Sequence, residues 1–253
     1  MIKVAIAGAH GRMGKAAVQA VRAAADMQLV AQLGRSDSLE EMVAAGATHM
    51  VDLTVPEATE ANVKFAIQHG IHAVVGTSGW SETQIASLRS TLENHPEVGV
   101  LIAPNFALGA VLAMQFAEQA ARFFESAEVI ETHHPDKLDA PSGTAANTAR
   151  KIASARTAAG VPASPDATAS DPLGARGGNV NDVRVHSVRL RGYTASQEVL
   201  LGNPGEVLTI RHDSFDRESF MPGILLGLRR VSQHKGLTVG LENFLYAGDH
   251  AAK

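Results

Sequence analysis

The chain has 253 residues, enough for one or two domains with a sizeable core, and its 45% hydrophobic and 19% charged content is ordinary for a globular protein. It holds no cysteine, which excludes disulfides, thiolate metal sites and thiol nucleophiles, and its 4% aromatic content argues against a base-stacking nucleic-acid platform. A formal net charge of −4 is too mild to single out a polyanionic partner. The start, Met1-Ile2-Lys3-Val4-Ala5-Ile6-Ala7, lacks the pattern of a secretory signal, and the chain reads as cytoplasmic. Val98–Ala117 carries no charge, but Pro104-Asn105 splits it into a strand-like and a helix-like half, so no membrane partner is expected.

The first third alternates short apolar runs with helical patterns. Ile2–Ala7, Gln28–Leu33, Met50–Val55, Ile71–Gly76 and Val98–Ala103 read as strands. Helices are expected from Arg12 to about Ala25, with Met13, Ala17, Val18 and Val21 at helical spacing, and over Pro56–His69, with Ala58, Ala61 and Phe65 on one face. Another spans Ser81–Asn94, opened by a capping box of Ser81 and Gln84. This alternation predicts a parallel, doubly wound, Rossmann-like sheet. From Ala107 the pattern changes: an Ala-rich helix over Leu108–Phe124, a strand over Ala127–His134, and a helix ending near Ala159. An exposed loop is expected over Val161–Asp182. The strand-like runs Val183–Leu190, Ser196–Leu201 and Glu206–His212 follow, the last two joined by Gly202-Asn203-Pro204-Gly205, which predicts a mostly antiparallel sheet in a smaller α+β domain. A helix near Arg217–Gln233 and a strand-like tail at Leu237–Leu245 come last.

The first turn carries glycines at 8, 11 and 14, a spacing that lets the backbone turn sharply after a strand and approach a pyrophosphate at a helix N-terminus. Gly76-Thr77-Ser78-Gly79 and Ala103-Pro104-Asn105-Phe106 end two further strands and therefore fall on the same sheet edge. At the end of the second strand, Leu33-Gly34-Arg35 has no acid for a ribose hydroxyl at 34 and a cation at 35 that suits a 2′-phosphate, favouring NADPH while admitting NADH.

Residues 131–145, Glu-Thr-His-His-Pro-Asp-Lys-Leu-Asp-Ala-Pro-Ser-Gly-Thr-Ala, place two imidazoles and an ammonium just before a helix start. Strand alternation turns His133 and His134 to opposite faces, which disfavours a metal site built from them with Asp136 and Asp139. Pro135 breaks the strand and lets Lys137 fold back. The Pro-Ser-Gly-Thr run opens a helix whose N–H groups and Thr144 hydroxyl suit a carboxylate. Acid–base chemistry on an anionic substrate accounts for all of these residues.

The fifteen-residue segment resembles the signature of the 4-hydroxy-tetrahydrodipicolinate reductase (dihydrodipicolinate reductase) family. The opening Val-Ala-Ile-Ala-Gly-Ala-x-Gly-Arg-Met-Gly, the Val-Val-Gly-Thr-Ser-Gly-Trp loop, Ala-Pro-Asn-Phe and the Arg-His-Asp-Ser-Phe-x-Arg run at 211–217 follow in the family's order. The resemblance implies hydride transfer from a reduced nicotinamide to a cyclic dicarboxylate, with net loss of water, in the diaminopimelate route to lysine. It implies a dinucleotide-binding domain of residues 1–106 and 217–253, a substrate-binding and tetramerisation domain of residues 107–216, and a homotetramer. It assigns proton exchange to His133, proton donation to Lys137, and carboxylate binding to His134, Gly143 and Thr144. The nucleotide falls to Gly8, Ala9, His10, Gly11, Arg12 and Met13, to Gly76, Thr77 and Ser78, and to Ala103, Pro104, Asn105 and Phe106. Gly34 and Ser78 depart from the family's usual acid and Thr. Another NAD(P)-dependent small-acid dehydrogenase, or a nucleotide-sensing module without catalysis, are the competing readings.

Overall fold

The computed structural model of the chain describes residues 1–246, so the part of the expected first domain beyond 246 lies outside it. The elements run β1 (Ile2–Ala7), α1 (Arg12–Ala23), β2 (Met27–Leu33), α2 (Glu40–Ala44), β3 (His49–Asp52), α3 (Pro56–Gln68), β4 (His72–Val75), α4 (Glu82–Glu93) and β5 (Gly99–Ile102). Next come α5 (Leu108–Ala121), β6 (Ser126–His133), α6 (Gly143–Ala158), β7 (Gly178–Val180), β8 (Val183–Arg189), β9 (Ala195–Asn203) and β10 (Glu206–Ser214). The described chain closes with α7 (Met221–Arg230), β11 (Gly236–Val239) and α8 (Glu242–Leu245). Two compact units result: Met1–Ala107 together with the residues from Arg217 on, and Leu108–Asp216. Among the described residues no helix is long and apolar enough to cross a membrane. The uncharged stretch at 98–117 folds as β5, a turn and the first part of α5.

In the first unit the strand order is β11-β5-β4-β3-β1-β2, all pairings parallel. Short Val-, Ile- and Ala-rich strands buried on both faces demand helices above and below, as in doubly wound sheets. The capping box forms as the sequence indicates: Ser81 Oγ accepts from the Gln84 N–H, and the Gln84 side chain accepts from the Ser81 N–H. The second unit has the order β10-β9-β6-β8-β7, in which only β6–β8 is parallel. Its core forms where Ala117 and Ala121 of α5 and Ala149 and Ile152 of α6 meet Val129, Val185, Val199 and Leu201 of the sheet.

Several local expectations are corrected. The buried face of α3 is Thr59, Val63, Ala66 and Ile67, not Ala58, Ala61 and Phe65; the period is right but the stripe is rotated, leaving Ala61 exposed and Phe65 half-buried at the edge of the core. The third strand stops at Asp52, and Val55 becomes the extended residue before α3, whose first position is Pro56. The five-residue α2 carries too short a pattern to register. The loop after α6 contains β7, turned into β8 by Asn181 and Asp182 at positive φ. The strand-like tail splits into β11 and α8 at Gly240, whose φ is +99°. The last long helix is α7 alone, with a 3-10 turn on each side.

One core group makes the first unit acid-sensitive. His49 is 6% exposed, its Nε2 has no hydrogen-bond partner, and its ring lies 4.9 Å from that of His72. Burial, and secondarily the His72 charge, push its pKa down from 6.5 to about 4. As pH falls below 6.5, the unfolded chain takes up a proton that the folded one refuses, so stability drops until about pH 4. The loss amounts to about 3 kcal/mol across that window. Urea unfolding followed by Trp80 fluorescence should show this slope in the wild type and a shallower one in His49→Leu; equal slopes would exclude His49 as its source.

Candidate functional site

In the first unit, the loops at the carboxyl ends of β1, β3, β4 and β5 meet at one edge of the sheet. Gly8 turns at φ +80°, and the N–H groups of Gly8 and Ala9 both donate to the Leu33 carbonyl, at 2.8 and 3.1 Å. Gly14, in the first turn of α1, packs so closely that a Cβ there would lie 2.0 Å from the Gly8 carbonyl oxygen. Beside this turn lies a cavity of about 320 Å³ walled by Met13, Gly76, Thr77, Ala103, Pro104, Asn105 and Phe106, together with Leu53, Thr54 and Phe220. Gly8, Ala9, His10, Gly11, Arg12, Ser78 and Arg35 do not wall it; His10, Gly11, Arg12, Ser78 and Arg35 are exposed.

Beneath the cavity sits Asp52, fully buried, to which the sequence reading gave no role as the third residue of the expected strand Met50–Val55. Its Oδ1 accepts from the Thr54 N–H at 3.1 Å, the Thr54 hydroxyl at 2.7 Å and the Thr77 hydroxyl at 3.0 Å; Oδ2 accepts from Asn62 at 2.8 Å. The carboxylate thereby ties the loop after β3 to the loop after β4. An acid within an otherwise apolar run is the signal, because a buried carboxylate persists only where donors surround it. At the end of β2, Asp37 Oδ2 accepts from the Gly34 N–H at 2.8 Å, so an acid does stand near this corner, supplied from three residues further on.

In the second unit, β6 delivers Glu131 and His133 on one face, the two-residue period making them neighbours. Glu131 is fully buried and accepts from Arg189 through both oxygens, at 2.9 and 3.0 Å, from His133 Nδ1, and from the Ser142 N–H at 3.3 Å. Burial works to raise the Glu131 pKa, but the bonds from Arg189, Ser187 and His133 prevail and hold it below its ordinary value. His133, half-buried, is pushed below 6.5 mainly by burial, with the Lys137 and Arg189 charges adding to this and Glu131 opposing it.

After β6 the chain turns, and the Lys137 N–H donates to the His134 carbonyl at 3.2 Å. Lys137 Nζ pairs with Asp139 Oδ1 at 2.6 Å. That bond, with the Gly143 N–H contributing, lowers the Asp139 pKa. Ser142 caps α6 by accepting from the Ala145 N–H at 3.1 Å, which leaves Gly143 exposed at the first helical position with open space around its Cα. His133, Lys137 and the α6 N-terminus with Gly143 and Thr144 are thus gathered at the end of β6. Arg189 and Glu131 are additions to the residues expected. Glu131 shares a strand face with His133, a cue available from spacing, whereas Arg189 lies 58 residues away.

Two family profiles cover nearly the whole chain: "Dihydrodipicolinate reductase, N-terminus" over residues 2–106 and "Dihydrodipicolinate reductase, C-terminus" over residues 109–245. The chain belongs to the dihydrodipicolinate reductase family. It is 58% identical to the 4-hydroxy-tetrahydrodipicolinate reductase of Streptomyces griseus subsp. griseus over 96% of this chain and 98% of that protein. The protein of the same name from Corynebacterium diphtheriae is 55% identical over the same shares. Among solved structures, the dipicolinate-bound dihydrodipicolinate reductase from Paenisporosarcina sp. TG-14 superposes with a TM-score of 0.84 at 37% identity, covering 97% of this chain and 100% of that one. A probable dehydrogenase from Thermotoga maritima, at TM-score 0.60 and 11% identity over 96% of this chain and 92% of that one, shares the fold alone. Members of the dihydrodipicolinate reductase family thus match both units of this chain, not just the nucleotide-type sheet.

Proposed function

We propose that the chain is an NAD(P)H-dependent reductase acting on 4-hydroxy-tetrahydrodipicolinate and yielding tetrahydrodipicolinate on the diaminopimelate route to lysine. The observation that carries this reading is the gathering of a buried-acid-paired imidazole, an ammonium and a capped helix N-terminus with an exposed glycine within residues 131–145. The nucleotide is assigned to the first unit, where the residues fit it: the Gly8–Gly14 approach leaves no room for a Cβ, and the adjoining cavity is built from the expected loops. When bound, the reduced nicotinamide supplies the hydride.

The chain's own groups bind, orient and move protons. His134, Gly143 and Thr144 hold the carboxylates of the dicarboxylate, the helix N-terminus offering N–H groups and a favourable dipole. The Lys137 ammonium donates a proton to the substrate, and His133 exchanges protons beside it. Asp139, with its side chain 54% exposed, is the partner that an incoming carboxylate displaces from Lys137. Following NADPH absorbance while a synthase generates the cyclic substrate tests the reading. No oxidation, with nucleotide binding confirmed by fluorescence, would identify a binding module without catalysis.

We assign NADPH as the favoured cofactor, with NADH also accepted. Arg35 supports the 2′-phosphate, while the Asp37 carboxylate beside Gly34 is of the kind that accepts from a ribose hydroxyl. Arg35→Ala should lower the NADPH-to-NADH ratio of kcat/KM by roughly tenfold, the scale of one charge-assisted contact. An unchanged ratio would remove Arg35 from cofactor choice.

A homotetramer completes the proposal. Helices α5 and α6 cover one face of the second sheet, and strand alternation sends Ile130, Leu200 and Val207 to the other; Val207 is 68% exposed. Sedimentation at four chain masses is the expected result, and a monomer would refute it.

A further inference from the structure

The carboxylate of Glu131 has more donors than a strand-to-strand strut needs. Oε2 accepts from Arg189 Nη1 and His133 Nδ1, Oε1 accepts from Arg189 Nη2 and the Ser142 N–H, and the Ser187 side chain adds a further bond. Arg189 and His133 are register partners across β8 and β6, and Arg189 Nη2 also donates to the Asp139 carbonyl at 2.6 Å. One buried acid therefore joins the imidazole, the loop carrying Lys137 and the capping residue of α6.

An ionised carboxylate accepts and never donates, so the ring nitrogen facing it must carry the hydrogen. In a neutral imidazole this leaves Nε2 bare. We propose that Glu131, clamped by Arg189, is the positioning residue that sets the tautomer of His133, holding the proton on Nδ1 and making Nε2 the nitrogen through which His133 exchanges protons. The catalytic half of this inference rests on the reductase reading above. The charged groups facing the ring are Glu131 on its own strand, Arg189 on β8 and Lys137 on the following turn, with Asp139 acting on the ring only through Lys137.

Glu131→Gln tests it. The amide has one oxygen and one NH2 where the carboxylate has two acceptors; with the NH2 on the His133 side it meets two donors, Arg189 Nη1 and His133 Nδ1, and of these only the ring can become an acceptor. The ring resolves the conflict by accepting from the amide through Nδ1, and its proton moves to Nε2. The effect expected is a fall in kcat of about 10²-fold or more, with KM for the dicarboxylate and Kd for NADPH nearly constant. Glu128→Gln is the control: Glu128 also binds a histidine and an arginine, His186 and Arg176, three residues earlier on β6, and its loss should leave kcat unchanged.

The deciding measurement is 15N NMR of the His133 ring in ligand-free protein, assigned by difference from His133→Gln. The wild type should show protonated Nδ1 and bare Nε2, and Glu131→Gln the reverse. A wild-type ring protonated on Nε2 overturns the proposal, even if the variant fails to fold. So does an unchanged tautomer in Glu131→Gln accompanied by lowered Tm, which would make the residue a strut. The spectrum needs no turnover, so the tautomer is read independently of whether the chain reduces the cyclic dicarboxylate.

Discussion

His133→Gln should lower kcat by about 10²–10⁴, the span over which a positioned proton-transfer group normally contributes. Glutamine keeps a polar side chain of similar reach but cannot pass a proton at neutral pH. His133 can, because its pKa is held below 6.5 chiefly by burial, so at pH 7 the ring is neutral with one nitrogen open. The groups proposed to bind the carboxylates lie elsewhere, at His134 and the α6 N-terminus, and KM for the dicarboxylate should therefore change little. Lys137→Ala should fall in the same range of kcat and also raise that KM, because in the proposed mechanism the ammonium both donates a proton and attracts the anion. Steady-state NADPH oxidation in the coupled assay measures both variants. Wild-type turnover in either one would remove that residue from the mechanism.

Gly14→Ala should abolish nucleotide binding and destabilise the first unit by about 3 kcal/mol or more, at or beyond the upper end of ordinary overpacking. The added Cβ would lie 2.0 Å from the Gly8 carbonyl oxygen and 2.7 Å from Ala9 Cα. Both are backbone atoms, so no side-chain rotation relieves the overlap; the turn itself must move. Gly8 cannot follow easily, since its φ of +80° and its bond to Leu33 already fix the turn against β2. Fluorescence titration with NADPH and urea unfolding read the two effects. Wild-type affinity would mean that the tight approach does not shape the cradle.

Contiguous features were legible in the sequence because they need only near neighbours. The alternation of apolar runs and helical spacings yields the parallel sheet, the Ser81–Gln84 box marks a helix start, and the run from Glu131 to Ala145 places an imidazole, an ammonium and a capped helix within reach of one another. Groups whose partners are distant were not legible. Arg189 meets Glu131 across 58 residues, and Thr77 meets Asp52 across 25. Periodicity cannot register two strands that far apart. It also cannot choose between faces of α3, where Ala61 and Val63 both fit a helical stripe but only Val63 is buried. The corner at Gly34 shows the same limit: the missing acid is real at that position, yet Asp37 bends back to supply a carboxylate.

The discontinuous first unit bears on how the protein is made. Its sheet ends in β11, which pairs with β5, and α7 packs against α1. A Cβ on Gly223 of α7 would lie 2.0 Å from the Phe106 carbonyl oxygen, so that helix abuts the chain just before the second unit begins. The second unit is one uninterrupted stretch, Leu108–Asp216. During synthesis from the N-terminus it can close its sheet while the ribosome still holds the residues that seal the first. The nucleotide unit, begun first, is finished last, and a premature stop after residue 216 would release a complete inner unit attached to a sheet with an unpaired β5 edge.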